Sequence, residues 1–275
     1  LFYVILLHLK HQNVSSNLWW MTPGLLNILD DSTDLLGVRL KGVLLLKIFL
    51  EKCFVDDEHW ISFHDTGLYA LYEPILLSMC YCLPPGYSSK DSLAIWRIVF
   101  PTLNSIYSLQ FKRNQLAYQH HLGNFLSQLL LQNVIPRINI TDEKLTEFAL
   151  ETLIKIIKTL KVSIVAHLQR IIYTLGEYMV RNAFFTAFTS LVDKTIEVFS
   201  TLIEECPTGR INAHKYDLLA IILITFEKCQ KEGKMTGELT LRLRQLIINL
   251  ECKGCNLTND KNEILKIKDM REILS

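Results

Sequence analysis

Pro23-Gly24-Leu25-Leu26-Asn27-Ile28-Leu29-Asp30-Asp31 and Val38-Arg39-Leu40-Lys41-Gly42-Val43-Leu44-Leu45-Leu46-Lys47-Ile48-Phe49-Leu50 are two apolar runs separated by a short polar break. Apolar residues at 25, 26 and 29, and again at 38, 42/43, 45/46, 49 and 50, recur at helical spacing on both sides of an acidic turn. That spacing predicts a helix–turn–helix hairpin. One hairpin cannot bury both of its faces, so neighbours must stack on it. The expected fold class is therefore all-α, an α-solenoid of helical hairpins.

Composition agrees with a large buried core. The chain has 275 residues, 49% of them hydrophobic, with 11 Gly and 7 Pro, which is not the make-up of a disordered segment. A net charge of +1 removes the electrostatic case for a nucleic-acid or anionic-membrane partner. No run approaches the roughly 20 apolar residues a spanning helix requires. Val43–Leu50 is interrupted by Lys47, and 218–226 is flanked by Asp217 and Glu227. Leu1–Leu9 lacks the basic start and small-residue cleavage pattern of a signal peptide and reads as a core helix. The missing initiator Met reads as a trimmed chain. Seven cysteines, mostly inside apolar helical patterns, predict reduced, buried thiols of a cytosolic or nuclear protein.

Going outward from the first hairpin, Leu1–Lys10 predicts a helix, and Trp19 and Trp20 are expected to cap the end of the core. An acidic start at 56–58 precedes a helical pattern from about Trp60 to Cys82, which Leu83-Pro84-Pro85-Gly86 stops. Ser88 to Asp91 supply N-cap choices for the next helix, whose apolar face includes Leu93, Trp96, Val99, Leu103 and Tyr107. Pro74 and Pro101 are each expected to kink or break their helix. A further helix runs from Leu116 to Val134 and ends at Pro136. Thr141 is the expected N-cap of the next, followed by patterns at about 162–180, 183–205, 213–231, 237–250 and 260–274. Leu239 to Arg244 alternates like a strand, but its continuation through Leu246, Ile247 and Leu250 favours a helix. Nothing divides the chain, so residues 1–275 are expected to form one helical-repeat domain.

Candidate chemistry is sparse. Gly233-Lys234-Met235-Thr236 imitates the end of a phosphate loop but has Lys228 where a Gly belongs and Met235 where a metal-binding hydroxyl belongs. Cys252-Lys253-Gly254-Cys255 has half the ligands of a zinc knuckle, with no second close pair nearby. His8 with His11, and His120 with His121, lack the carboxylate of a metal-protease motif. Asp30 and Asp31 read as turn-forming residues in contact with Arg39 across stacked hairpins, in preference to paired catalytic acids. No catalytic residue, cofactor or metal is expected.

A Pro, a Leu pair, an Asp at the turn and a Val-Arg pair opening the second helix resemble a HEAT repeat. The wider set is more specific. Pro23-x-Leu25-Leu26, Asp30-Asp31, Arg39, Lys41-Gly42, Leu45-Leu46 and Cys53 are followed by Thr66-Gly67-Leu68, Pro74, Leu83-Pro84-Pro85, Asp91-Ser92-Leu93 and Pro101. Over roughly residues 23–108 this set resembles the family of the second Tel-two-interacting proteins, the smallest subunit of the TTT (Triple T) complex. The resemblance implies a non-enzymatic HEAT-like scaffold joining two larger helical-repeat subunits. It further implies work with heat-shock chaperone ninety and the RuvB-like ATPase co-chaperone assembly, in support of phosphatidylinositol 3-kinase-related kinases. Its motif residues are expected to be structural or partner-facing. A solenoid cargo or transport adaptor that binds extended peptides is the alternative, disfavoured by the charge balance.

Overall fold

The opening hairpin forms as its spacing predicts, with a longer first arm. In the computed structural model, which describes residues 1–9, 13–54, 61–140 and 142–274, α1 (Phe2–His8) is followed by α2 (Val14–Leu29), a π-helical turn (Leu35–Arg39) and α3 (Leu40–Cys53). Pro23 lies inside α2, where the sequence places it at the hairpin's start. Next come α4 (Tyr69–Cys80), α5 (Ser89–Gln110) and α6 (Gln115–Asn124). The acidic stretch 56–58 and Trp60 lie outside the described residues. The helix expected from Trp60 begins only at Tyr69, because Gly67 takes a left-handed φ of 70° ahead of it.

The chain divides into two compact units, Leu1–Leu122 and Gly123–Ser275. In the first, α3 packs on α1, α2 and α5, and α4 packs on α5. Leu29, Leu46, Phe49, Leu76 and Ile106 are fully enclosed there. Phe54 bridges Phe49 and Phe63 by edge-on ring contacts at 5.4 and 5.3 Å. The two tryptophans part company. Trp20 meets Phe2 at 5.7 Å and donates its indole N–H to Asn17, whereas Trp19 is 77% exposed and does not cap the core.

In the second unit a π-helical segment (Phe125–Val134) leads into α7 (Ile135–Ile138), so the helical path passes through Pro136 and ends at Asn139. Then follow α8 (Glu143–Leu160), α9 (Leu168–Leu175) with a π turn (Gly176–Val180), α10 (Thr189–Glu205), α11 (Thr208–Ala213) and α12 (Lys215–Lys231). The last are α13 (Gly237–Cys252), α14 (Thr258–Lys266) and a closing 3-10 turn (Lys268–Ile273). Thr141 lies outside the described residues; Asp142 is the cap, accepting from the Leu145 amide at 2.8 Å. Residues 239–244 are helical, and no strand occurs among the described residues. No described helix is long and apolar enough to cross a membrane.

Helix α10 sits between α8 and α13, while α12 meets α13, the 176–180 π turn and the closing 3-10 turn. Side-chain hydrogen bonds tie these layers at a recurring sequence interval. Arg170 to Ser127 and Asn182 to Asn139 each span 43 residues. Thr186 to Glu232 spans 46, Ser190 to Glu143 spans 47, and Arg242 to Asp193 spans 49. Two lysines cap helix ends one interval away. Lys228 donates to the carbonyls of Val180, the last residue of its π turn, and of Asn182 just beyond it, and Lys253 to those of Glu204 and Cys206 at the end of α10.

Candidate functional site

The acidic turn of the first hairpin is closed by its own hydroxyl and amide groups. Asp31 accepts from the Thr33 hydroxyl at 2.6 Å, the Thr33 amide at 2.8 Å and the Asp34 amide at 3.3 Å. The Thr33 bonds hold its carboxyl below the usual range. Asp34 accepts from the Gly37 amide at 2.7 Å and so caps the π turn. The Asp–Arg contact expected from the sequence does not form. Arg39 reaches onward to α4 and donates from Nη2 to Ser78 Oγ at 3.1 Å. Its Nε is shut from water and has no acceptor. Asp30 and Lys41 are exposed, and Gly42 is buried against α2.

The remaining motif positions serve local structure. Thr66 donates to the Phe63 carbonyl at 2.6 Å and accepts from the Leu68 amide at 3.3 Å, closing the turn that Gly67 completes. Asp91 accepts from Ser88 at 2.7 Å while Ser88 accepts the Asp91 amide at 3.1 Å, a reciprocal cap at the start of α5. Pro74 and Pro101 lie within unbroken helices. Pro84 sits in the turn before α5. The structure thus distributes these residues over caps, turns and helix approaches and does not gather them around one centre.

A polar cluster absent from the sequence reading joins three helices. The Tyr69 hydroxyl lies 3.2 Å from His121 Nδ1, Tyr107 donates to Glu73 at 3.2 Å, and Phe111 stacks on His121 at 4.4 Å. Burial, then Glu73, pushes both phenols up, and burial lowers His121, so at neutral pH the phenols are protonated and the imidazole is neutral. These groups bond one another across the packing of α4, α5 and α6. Among the described residues no three His, Cys, Asp or Glu side chains are grouped to hold a metal.

The model of the Tti2 family matches residues 1–187. The chain belongs to the Tti2 family. Over 258 residues it is 47% identical to TEL2-interacting protein 2 of Saccharomyces cerevisiae (strain ATCC 204508 / S288c), an alignment covering 92% of this chain and 61% of that relative. The chain therefore spans about three fifths of the length of the curated relative it matches. No solved structure matches it.

The Tti2 match takes in the whole first unit and extends into the second. There a groove of about 200 Å³ runs between α9 with its π turn and α12. Ile172, Val180 and Ile221 form its floor. On its rim the Glu177 carboxylate is paired with Arg181, and Asp217 with His214 at 3.2 Å. A second cavity of about 220 Å³ holds Thr186, Asp193, Cys229 and Thr236. Three of its polar side chains are engaged: Thr186 with Glu232, Asp193 with Arg242, and Thr236 with the Leu239 amide as cap of α13. The Gly233–Thr236 stretch is thus a helix stop, with Gly233 at φ 65°, followed by a helix start.

Two measurements follow from the titratable groups of this Tti2-family chain. Burial pushes the thiols of Cys53 to about 12 and of Cys206 and Cys229 to about 11, and six of the seven cysteines are buried. Brief alkylation of the native chain at pH 7.5, read by mass spectrometry, should therefore label Cys252 alone, and all seven after denaturation. Burial, reinforced by the Arg170 charge, lowers His167, which fills the space beside Gly123. Below the unfolded value of about 6.5 the unfolded chain takes up a proton that the folded one resists, so stability falls as pH drops. His167→Gln should flatten that part of a pH 7 to pH 5 stability profile.

Proposed function

We propose that this chain is a non-enzymatic scaffold subunit of the TTT complex, an α-solenoid of HEAT-like hairpins over residues 1–275 that binds two larger helical-repeat subunits. The observation that carries this reading is the 47% identity to a relative named for its interaction with TEL2. Side-chain bonds recurring at intervals of 43 to 49 residues support the stacked arrangement, since HEAT hairpins repeat at about 40–47 residues. Such a stack presents long outer faces on which partner helices can lie. In this reading the chain acts in the cytoplasm and nucleus. It supports maturation and stability of phosphatidylinositol 3-kinase-related kinases with heat-shock chaperone ninety and the RuvB-like ATPase co-chaperone assembly.

Co-expression with the two larger subunits tests it. The chain should elute with both as one complex of fixed stoichiometry on size exclusion. Separate elution of well-folded chain would contradict the reading, and capture of extended basic peptides in place of the subunits would point to a cargo adaptor.

A further inference from the structure

Among the described residues Arg39 is held in place without a counter-ion. It stands at the end of the Leu35–Arg39 π turn, half-buried, and its one hydrogen bond is to Ser78 on α4. A guanidinium carries five N–H donors, and here the buried Nε finds no acceptor. The acids of its own turn are engaged elsewhere: Asp31 with Thr33 and Asp34, and Asp34 with Gly37. Nothing else in the described chain bonds to Arg39. A partly desolvated charge without a partner is destabilising, and proteins keep such groups where an interaction outside the fold completes them.

The surroundings fit a partner. Ser78 also donates to the Ile75 carbonyl at 2.7 Å, which fixes its oxygen toward Arg39. The Tyr87 phenol is 42% exposed in the turn before α5; its bond to Cys82 pushes it up, and it is near enough to feel the Arg39 charge in the opposite sense. Pro74 and Tyr81, four residues before and three after Ser78, share its face of α4 and are exposed. Arginine and tyrosine are the side chains that dominate binding hot spots, and the guanidinium fork matches a carboxylate in two parallel bonds.

We propose that Arg39, positioned by Ser78 and flanked by Tyr87, is the docking point for an aspartate or glutamate side chain presented by one of the two larger subunits. This rests on the scaffold reading for the identity of the partner, and on the unneutralised guanidinium for its chemistry.

The test uses the full chain and the purified pair of larger subunits. Arg39→Met keeps the aliphatic length and removes the charge; its melting temperature should equal or exceed that of the wild type, because no internal ion pair is lost. Its affinity for the pair should fall roughly tenfold or more, and Arg39→Glu should bind no better. Wild-type affinity should decline with salt more steeply than that of Arg39→Met. Arg39→Lys treated with a carbodiimide should give a cross-link from position 39 to an Asp or Glu of the pair, identified by mass spectrometry. Equal affinities of wild type and Arg39→Met, or a marked fall in melting temperature without a change in affinity, would overturn the proposal. Wild-type chain that fails to bind the pair would instead remove the scaffold reading, and the named partner with it.

Discussion

Trp96→Ala is expected to destabilise the chain by about 4 kcal/mol, the cost typical of emptying a buried indole site. Trp96 is 1% exposed on α5 and donates its Nε1–H to the carbonyl of Cys80 at 3.1 Å. Cys80 is the last residue of α4, where carbonyls have no helical partner. The substitution therefore opens a cavity between two packed helices and also leaves a buried acceptor unpaired. Trp96→Phe separates the two effects. It retains most of the packing and should cost only about 1–2 kcal/mol, the contribution of the lost hydrogen bond and residual space. Urea unfolding followed by circular dichroism measures both, and a loss below about 1 kcal/mol for Trp96→Ala would mean that α4 and α5 are not joined through this side chain.

Gly42→Leu should cost about 3 kcal/mol by overpacking. A β-carbon on Gly42 would stand 2.9 Å from Ile28 Cγ2 and 3.3 Å from the Leu29 backbone nitrogen. The isoleucine methyl can turn aside, but the backbone of α2 cannot, so even Gly42→Ala should separate the two arms slightly. Graded loss from Gly to Ala to Leu in the same unfolding experiment is the expected pattern. Equal stability of all three would place position 42 on an open face.

The helices were readable because their apolar residues recur at three-and-four spacing, and the cap of α5 was narrowed to Ser88–Asp91, among which the structure selects Ser88. Prolines misled the reading of helix ends. Pro23, Pro74 and Pro101 each remove one helical donor, yet the residues four before them, Trp19, Ala70 and Arg97, are exposed, so water can serve the freed carbonyls. The path of Arg39 was not readable. Its choice of Ser78 over Asp30 or Asp31 depends on the π turn that carries it and on how α4 returns 39 residues later, which residue spacing does not encode. The Tyr69–His121 bond, spanning 52 residues, was hidden for the same reason.

In the proposed solenoid, successive hairpins lie against one another at a near-constant sequence interval, so that core and partner surface are both products of one stack. Zero-length carbodiimide cross-linking of the isolated full chain, mapped by mass spectrometry, examines that interval directly. The expected spectrum contains the Lys194–Glu151 link, whose charged atoms lie 3.7 Å apart, and its long-range links cluster at separations of about 40–50 residues. Long-range links spread evenly over other separations, with Lys194–Glu151 missing, would contradict the stack.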